Sequence, residues 1–132
     1  MTLEEVVDNF SFLEDWEDKY KYLIDLGEEI PPFPDYMKTN ENKVDGCMSQ
    51  VWLTYNKCDD TYFFRADSDA LIVKGLIALI LMAYSGKTKS EIEKVDIDAV
   101  FKQLGLHNHL SPTRRNGFFS MVSRIRQIVS EQ

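Results

Sequence analysis

Two runs of β-branched and aromatic residues near the middle of the chain place the strongest constraint on its fold. The runs are residues 51–55 and 61–65, and the spacer between them, residues 56–60, is polar. Such side chains favour extended backbone, and two runs joined by a short polar spacer predict an antiparallel hairpin. A further short strand is expected at Lys43 and Val44. The chain should therefore contain a small antiparallel sheet of about three strands.

Helical patterns precede this hairpin. In residues 3–26 apolar side chains recur at three- and four-residue spacing. This spacing predicts one amphipathic helix, or two if the chain breaks at Asp8 or Ser11, with Gly27 as the stop. Residues 30–34 contain three prolines, which exclude both helix and central strand, so we expect an extended connector there.

Capping patterns predict the helices that follow the hairpin. Ser68 or Asp69 would cap an apolar helix that runs to about Tyr84, and Thr88 with Glu91 matches a capping box. A shorter helix, residues 97–104, would begin after Asp96 and stop at Gly105. The last helix would begin at Ser111-Pro112. Its apolar face would consist of Phe118, Met121, Val122, Ile125 and Ile128.

Length and charge narrow the class of protein. The 132 residues fit one domain, residues 1–132, and the separation of strands from helices indicates an α+β fold with helices packed on the sheet. The net charge of −7 argues against a nucleic-acid partner, since phosphate binding needs clustered Lys and Arg. The apolar run 71–84 is shorter than the ~20 residues that span a bilayer. With no secretory pattern in residues 1–30, we expect a cytoplasmic protein without membrane association.

Cys47 is the strongest candidate for chemistry. It follows the turn sequence Val44-Asp45-Gly46 and precedes a predicted strand, so it lies on an anchored loop, a position that suits a reactive thiol. Ser49 can hydrogen-bond a sulfur or a loop amide. The alternative is that Cys47 is an inert apolar side chain. The only other cysteine, Cys58, is interpreted as a surface residue, and two cysteines cannot form a disulfide framework.

Charged and imidazole side chains are weaker candidates. Arg114 and Arg115 fall in the first turn of the last predicted helix, where positive charge opposes the helix dipole. This placement predicts either an anion-binding or partner-docking role, or a solvated charge. His107 and His109 match no zinc-site spacing and are expected to be structural. Asp69 is interpreted first as a helix cap and alternatively as a partner contact.

Residues 44–53, V-D-G-C-M-S-Q-V-W-L, resemble the Gly-Cys-x-Ser-x-Val-Trp signature of the SufE family of sulfur acceptor proteins. Three other blocks are similar to family segments and keep the family's order. They are residues 16–27 followed by Pro31-Pro32, residues 67–76, and residues 109–117. Together the four blocks run from about residue 10 to 126, so the resemblance covers nearly the whole chain.

This resemblance implies an IscU-like fold and a function in sulfur transfer. Family members accept a persulfide sulfur from a SufS-type cysteine desulfurase, stimulate that enzyme, and pass the sulfur on to an iron–sulfur scaffold. They hold no cofactor, whereas the desulfurase uses pyridoxal phosphate. Cys47 would be the acceptor, which makes the chain a sulfur-transfer partner rather than a stand-alone enzyme. The supporting residues implied by the match are Gly46, Ser49, Gln50, Trp52, Asp69 and Arg114.

Three other classes of function stay open from the residues alone. A cluster scaffold needs about three ligands at one site, and only Cys47 is well placed. A thiol-redox protein would use Cys47 with Cys58, although their spacing is not of the CxxC type. In a non-catalytic interaction module Cys47 would be inert.

Overall fold

The computed structural model describes residues 1–131 and has an α+β fold, as the sequence predicts. Within those residues, a three-stranded antiparallel sheet of order β1-β2-β3 packs with six α-helices. The elements in chain order are α1 (Leu3–Ser11), α2 (Trp16–Glu28), β1 (Val51–Cys58), β2 (Thr61–Ser68), α3 (Leu71–Tyr84), β3 (Lys87–Thr88), α4 (Lys89–Glu93), α5 (Ile97–Gln103) and α6 (Pro112–Ser130). Two 3-10 turns, Asp35–Met37 and Leu106–Asn108, lie between them.

The N-terminal helical pattern forms two helices, α1 and α2, with the break after Ser11. Asp15 caps α2, because its side chain accepts a hydrogen bond from the Asp18 N–H. The prediction that Gly27 stops the helix is wrong, since Gly27 lies inside α2. It faces Gly75 of α3, and a Cβ on Gly27 would lie 2.6 Å from the Gly75 nitrogen. Glycine is required here because the two backbones approach so closely.

The hairpin is longer than the sequence predicts. β1 and β2 pair from Val51 with Ser68 to Cys58 with Thr61, which leaves a turn of two residues. Asp59 adopts a left-handed conformation, φ 54°, which permits this tight turn. Cys58 is therefore the last residue of a strand and not part of a five-residue loop.

The third strand is not where the sequence predicts it. Lys43 forms only an isolated bridge with Trp52, because the chain turns away from β1 after two ladder hydrogen bonds. The third strand is β3, which pairs antiparallel with β2 on the side of β2 opposite to β1. The sequence assigns Thr88 to the start of a helix, and this assignment leaves no strand pattern at Lys87 and Thr88.

Helix α3 is the centre of the core. Most of its apolar side chains are buried between α2, α6 and the sheet, whereas Leu71 at its start is exposed. Tyr62 and Phe64 of β2 join this core, whereas Phe63 points outward and is 48% exposed, as strand alternation requires. On α6 the predicted apolar face is buried except for the half-buried Ile128, and Val129 completes it.

Three of the four predicted helix caps are confirmed. Thr88 and Glu91 form the capping box of α4, Asp96 caps α5, and Ser111 caps α6. The prediction for α3 is wrong, because its N-cap is Ala70, which has no capping side chain. The carboxylate of Asp69 bonds elsewhere, as described below. No helix in residues 1–131 is both long and apolar enough to cross a membrane.

Candidate functional site: the cysteine loop

Cys47 lies in an irregular segment, residues 38–50, that joins the 3-10 turn at residues 35–37 to the start of β1. We name this segment the cysteine loop. The thiol is half-buried against the hydrophobic core, and its Sγ donates to the carbonyl of Gly117 in α6 at 3.7 Å. The loop therefore rests with its cysteine turned inward, toward the first turns of α6.

A small cavity of about 30 Å³ opens beside the thiol. That volume is enough to admit a group the size of a water molecule. The walls are mostly apolar side chains from β1, α3 and α6, and Arg114 closes one side. The lining residues are Cys47, Met48, Ser49, Val51, Val73, Leu76, Thr113, Arg114, Gly117, Phe118 and Met121.

Gly46 allows the loop to turn Cys47 inward. Its φ is +85°, a left-handed conformation that other residues adopt at a cost. A Cβ at this position would also lie 2.7 Å from the Ser120 Oγ on α6. Both the backbone conformation and the space beside α6 therefore require glycine.

Asp69 clamps the C-terminal end of the cysteine loop. Its Oδ1 accepts from the Gln50 N–H at 3.1 Å, and its own N–H donates to the Gln50 carbonyl at 3.3 Å. This reciprocal pair explains why Asp69 does not cap α3. It also connects the loop to the β2–α3 junction, beside the cavity wall formed by Val73 and Leu76.

Trp52 contacts the loop through both its backbone and its side chain. Its backbone bridges to Lys43, and its half-buried ring lies under the Lys38 ammonium, 5.4 Å from Nζ to the ring centroid. Lys38 also pairs with Asp35 and Asp67, each at 3.3 Å. Sequence reasoning missed Lys38, because the partners that give it a role come from two other parts of the chain.

Arg114 and Arg115 differ in their surroundings. Arg114 is exposed and lines the cavity beside Cys47, so the structure brings these two predicted residues together. Arg115 is half-buried, and its Nε is enclosed without a hydrogen-bond partner among the described residues. Only Arg114 is placed to contact a group bound at the thiol.

The resting site does not activate the thiol. Burial raises the pKa of Cys47 above that of an ordinary thiol, and the Asp45 carboxylate raises it further. Arg114, although it lines the same cavity, is not among the causes of this shift. Since the thiolate is the nucleophile, Cys47 is held at rest in its unreactive, protonated form.

Both histidines pack against aromatic rings, which fits the structural role expected for them. The His109 ring stacks on Trp16 with a centroid distance of 3.8 Å, and the His107 ring packs edge-on against Phe101 at 5.0 Å. Tyr20 donates a hydrogen bond to the His109 carbonyl. No group of three or more His, Cys, Asp or Glu residues among residues 1–131 is arranged to hold a metal ion.

The family assignment follows from comparison with known sequences. The model of the SufE family, described as an Fe–S metabolism associated domain, matches residues 4–129. The chain belongs to the SufE family. SufE membership implies a role in Fe–S metabolism and sulfur transfer.

Two curated SufE-like relatives match over nearly the whole chain. An uncharacterized SufE-like protein of Rhizobium meliloti is 45% identical over 129 residues, which is 95% of this chain and 92% of that protein. An uncharacterized SufE-like protein of Rhizobium etli is 47% identical over 130 residues, 96% of this chain and 88% of that protein.

A solved structure supports the fold. The solution structure of a hypothetical protein from Thermus thermophilus aligns with a TM-score of 0.77 and covers 99% of this chain and 97% of its own. The two sequences are 18% identical, so this similarity concerns the fold alone.

Proposed function

We propose that this SufE-family chain accepts a persulfide sulfur on Cys47 from a SufS-type cysteine desulfurase, stimulates that enzyme, and passes the sulfur on to iron–sulfur cluster assembly. The observation that carries the proposal is the position of the Cys47 thiol on a clamped loop beside a small apolar cavity. An inert core cysteine would need neither the empty space nor the loop.

The transfer step is a substitution at sulfur. The Cys47 thiolate attacks the outer sulfur of the donor's persulfide, a new S–S bond forms, and the donor thiolate leaves. The proton that Cys47 loses is taken up by solvent or by the departing thiolate. No net oxidation occurs, because one S–S bond replaces another.

The cavity leaves room for the product. The Cys47 persulfide carries one additional sulfur atom, and the space beside the thiol, about 30 Å³, can admit it. Apolar walls from α3 and α6 would shield that outer sulfur from water-borne reductants. Arg114 at the edge of the cavity supplies a positive charge for the anionic form of the persulfide.

Docking on the desulfurase must turn Cys47 outward. The thiol is half-buried and its pKa is raised, so both access and the protonated state disfavour attack on a donor from the resting position. The hydrogen bonds nearest the thiol are few: its own bond to Gly117 and the Asp69–Gln50 pair. A partner that replaces these contacts would free the thiol and relieve the burial that keeps it protonated. Discharge to a downstream scaffold would use the same opening.

A thiol-redox function with Cys58 is disfavoured by distance. Cys47 lies beside Val51 at the start of β1, and Cys58 ends that strand, roughly 23 Å away at ~3.3 Å per residue. A disulfide requires Cα atoms within about 7 Å of each other, so the pair cannot form within this fold. An interaction module with an inert Cys47 remains as the second candidate.

Intact mass spectrometry tests the proposal. The protein is incubated with a SufS-type desulfurase and cysteine, without reductant, beside Cys47→Ser and Cys58→Ser variants. We expect a gain of about 32 Da, one sulfur, on the wild type and on Cys58→Ser, because attack on a persulfide yields a new persulfide. Cys47→Ser should gain nothing.

Two results would contradict the proposal. Equal labelling of the Cys47→Ser variant would show that a residue other than Cys47 carries the sulfur. No labelling by any of several desulfurases would favour the interaction module, in which case the desulfurase should still bind the chain without loading it.

A further inference from the structure

We infer that Lys38 is a positioning residue that anchors the N-terminal end of the cysteine loop, so that Cys47 stays inside until a partner opens the loop. The inference rests on the proposed function for its biological meaning. Its structural content, which part of the loop is fixed and which part moves, can be tested without any desulfurase.

The Lys38 ammonium meets three groups from three parts of the chain. Its Nζ lies 3.3 Å from Asp35 Oδ1 on the preceding 3-10 turn and 3.3 Å from Asp67 Oδ2 on β2. It also lies 5.4 Å from the centroid of the Trp52 ring on β1. Trp52 and Asp67 are direct partners across the β1–β2 pair. The first residue of the loop is therefore tied to both long strands at once.

This cluster is unusual for the chain. The chain has 15 basic and 22 acidic side chains, 37 in all. Within residues 1–131 they form three ion pairs, and each of these involves Lys38 or Asp67. Asp67 is largely buried, with 13% of its side chain exposed, which makes its pair with Lys38 stronger than a surface pair. Hydrogen bonds to Asp35 and Asp67 raise the pKa of Lys38, so the cation persists at neutral pH.

Asp67 has a second cation, which provides a natural control. The Lys74 ammonium on α3 lies 3.6 Å from Asp67 Oδ1, and the Ser68 N–H also donates to that oxygen. Loss of either lysine therefore leaves Asp67 with a partner. Both lysines pair with the Asp67 carboxylate, but Lys38 belongs to the cysteine loop whereas Lys74 belongs to α3.

Between Lys38 and Cys47 the loop pairs with β1. The Leu53 N–H donates to the Asn42 carbonyl at 2.8 Å, the Val44 N–H donates to the Val51 carbonyl at 2.9 Å, and the Val44 side chain is buried. The residue of β1 between these two bonds is Trp52, which bridges to Lys43 and carries the Lys38 ammonium on its ring. We conclude that Lys38 keeps residues 42–44 paired with β1 through the Trp52 ring, and that residues 45–49 turn Cys47 outward when this pairing loosens.

The test compares Lys38→Ala, Lys38→Arg and Lys74→Ala, each on a Cys58→Ser background so that only Cys47 reacts. The alkylation rate of Cys47 by iodoacetamide is measured on the free protein. We expect Lys38→Ala to react roughly fivefold faster, because the loop loses the ion pairs and the ring contact made by Lys38. Lys38→Arg should stay near the parent rate, since guanidinium keeps the charge and stacks on aromatic rings.

Lys74→Ala separates anchoring from general stability. It should lower the melting temperature about as much as Lys38→Ala does, yet leave Cys47 alkylation unchanged. Equal acceleration in the two alanine variants, or none in Lys38→Ala, would overturn the inference. If Lys38→Ala does not fold, Lys38→Met preserves the side-chain length, removes only the charge, and carries the same expectation.

The outcomes are independent of sulfur transfer. Faster alkylation of Lys38→Ala together with no persulfide on the wild type would uphold the anchor and reject the proposed function. Persulfide formation with an unchanged alkylation rate would do the reverse.

Discussion

The Asp69 carboxylate accepts a hydrogen bond from the Gln50 N–H at 3.1 Å, and the Asp69 N–H donates to the Gln50 carbonyl at 3.3 Å. This reciprocal pair fastens the last residue of the cysteine loop to the junction of β2 and α3. Because Gln50 lies three residues after Cys47, we expect the pair to limit how freely the thiol leaves its cavity. An exposed side chain would then set the accessibility of a half-buried one.

Asp69→Ala should loosen the loop without unfolding the protein. It removes one hydrogen bond of about 1 kcal/mol, so Cys47 in a Cys58→Ser background should alkylate roughly fivefold faster. Asp69→Asn retains an acceptor oxygen and should remain near the parent rate. Indistinguishable rates for the Ala variant and the parent would show that the pair does not restrain the loop.

The Cys47 thiol should titrate above an ordinary thiol. Burial is the main reason that its pKa is raised, and the Asp45 carboxylate adds to the effect. The measurement is the pH titration of the Cys47 Cβ signal by NMR in Cys58→Ser, with the same protein unfolded in urea as reference. Asp45→Asn should bring the midpoint down toward the unfolded value. A folded midpoint at or below the reference would refute this account.

The same shift sets the sign of a pH effect on stability. The folded state binds the thiol proton more tightly than the unfolded state does, since the folded pKa is the higher one. The contribution of Cys47 to stability is therefore fully present below the ordinary thiol pKa and is lost as pH rises through the folded pKa. Alkaline solution should favour the open loop, which faster exchange of the amides of residues 44–50, relative to residues 61–68, would reveal.

Gly46→Ala should destabilise the inward position of the loop. The substitution meets the strain of φ +85° and also an approach of 2.7 Å to Ser120 Oγ. We expect a loss of roughly 1–3 kcal/mol in the free energy of unfolding, measured by urea titration. Gly86→Ala is the matched control, because its φ is +77° but the nearest atom, on Phe63, would lie 3.9 Å away.

The comparison of these two glycines isolates the steric term. Gly46→Ala should cost more than Gly86→Ala, and adding Ser120→Gly should recover part of the difference. Equal costs for the two alanine variants would mean that the contact with α6 does not hold the loop.

Much of the local structure is readable from sequence because local chemistry decides it. The capping residues Thr88, Asp96 and Ser111 bond to N–H groups three residues away, so their sequence context contains the whole interaction. The signature around Cys47 likewise lies within ten consecutive residues. These features led directly to the α+β fold and to the SufE family.

The errors share one cause, which is contact between distant parts of the chain. Gly27 has the chemistry of a helix stop, but its position in α2 is required by the approach of Gly75, far along the chain. Asp69 is a residue type that caps helices, but its carboxylate accepts a hydrogen bond from the Gln50 N–H instead. In both cases a local preference gave way to a tertiary contact that spacing along the chain does not encode.

By itself, the sequence determined the order of helices and strands, the position of Cys47 on a loop, and the family. Only the tertiary structure decided that the thiol rests inward beside a small cavity with its pKa raised, that Lys38 pairs with Asp67, and that Asp69 bonds to Gln50. The physical reason is that burial and ion pairing depend on which distant residues are neighbours in space, and those neighbours come from β1, β2, α3 and α6 at once.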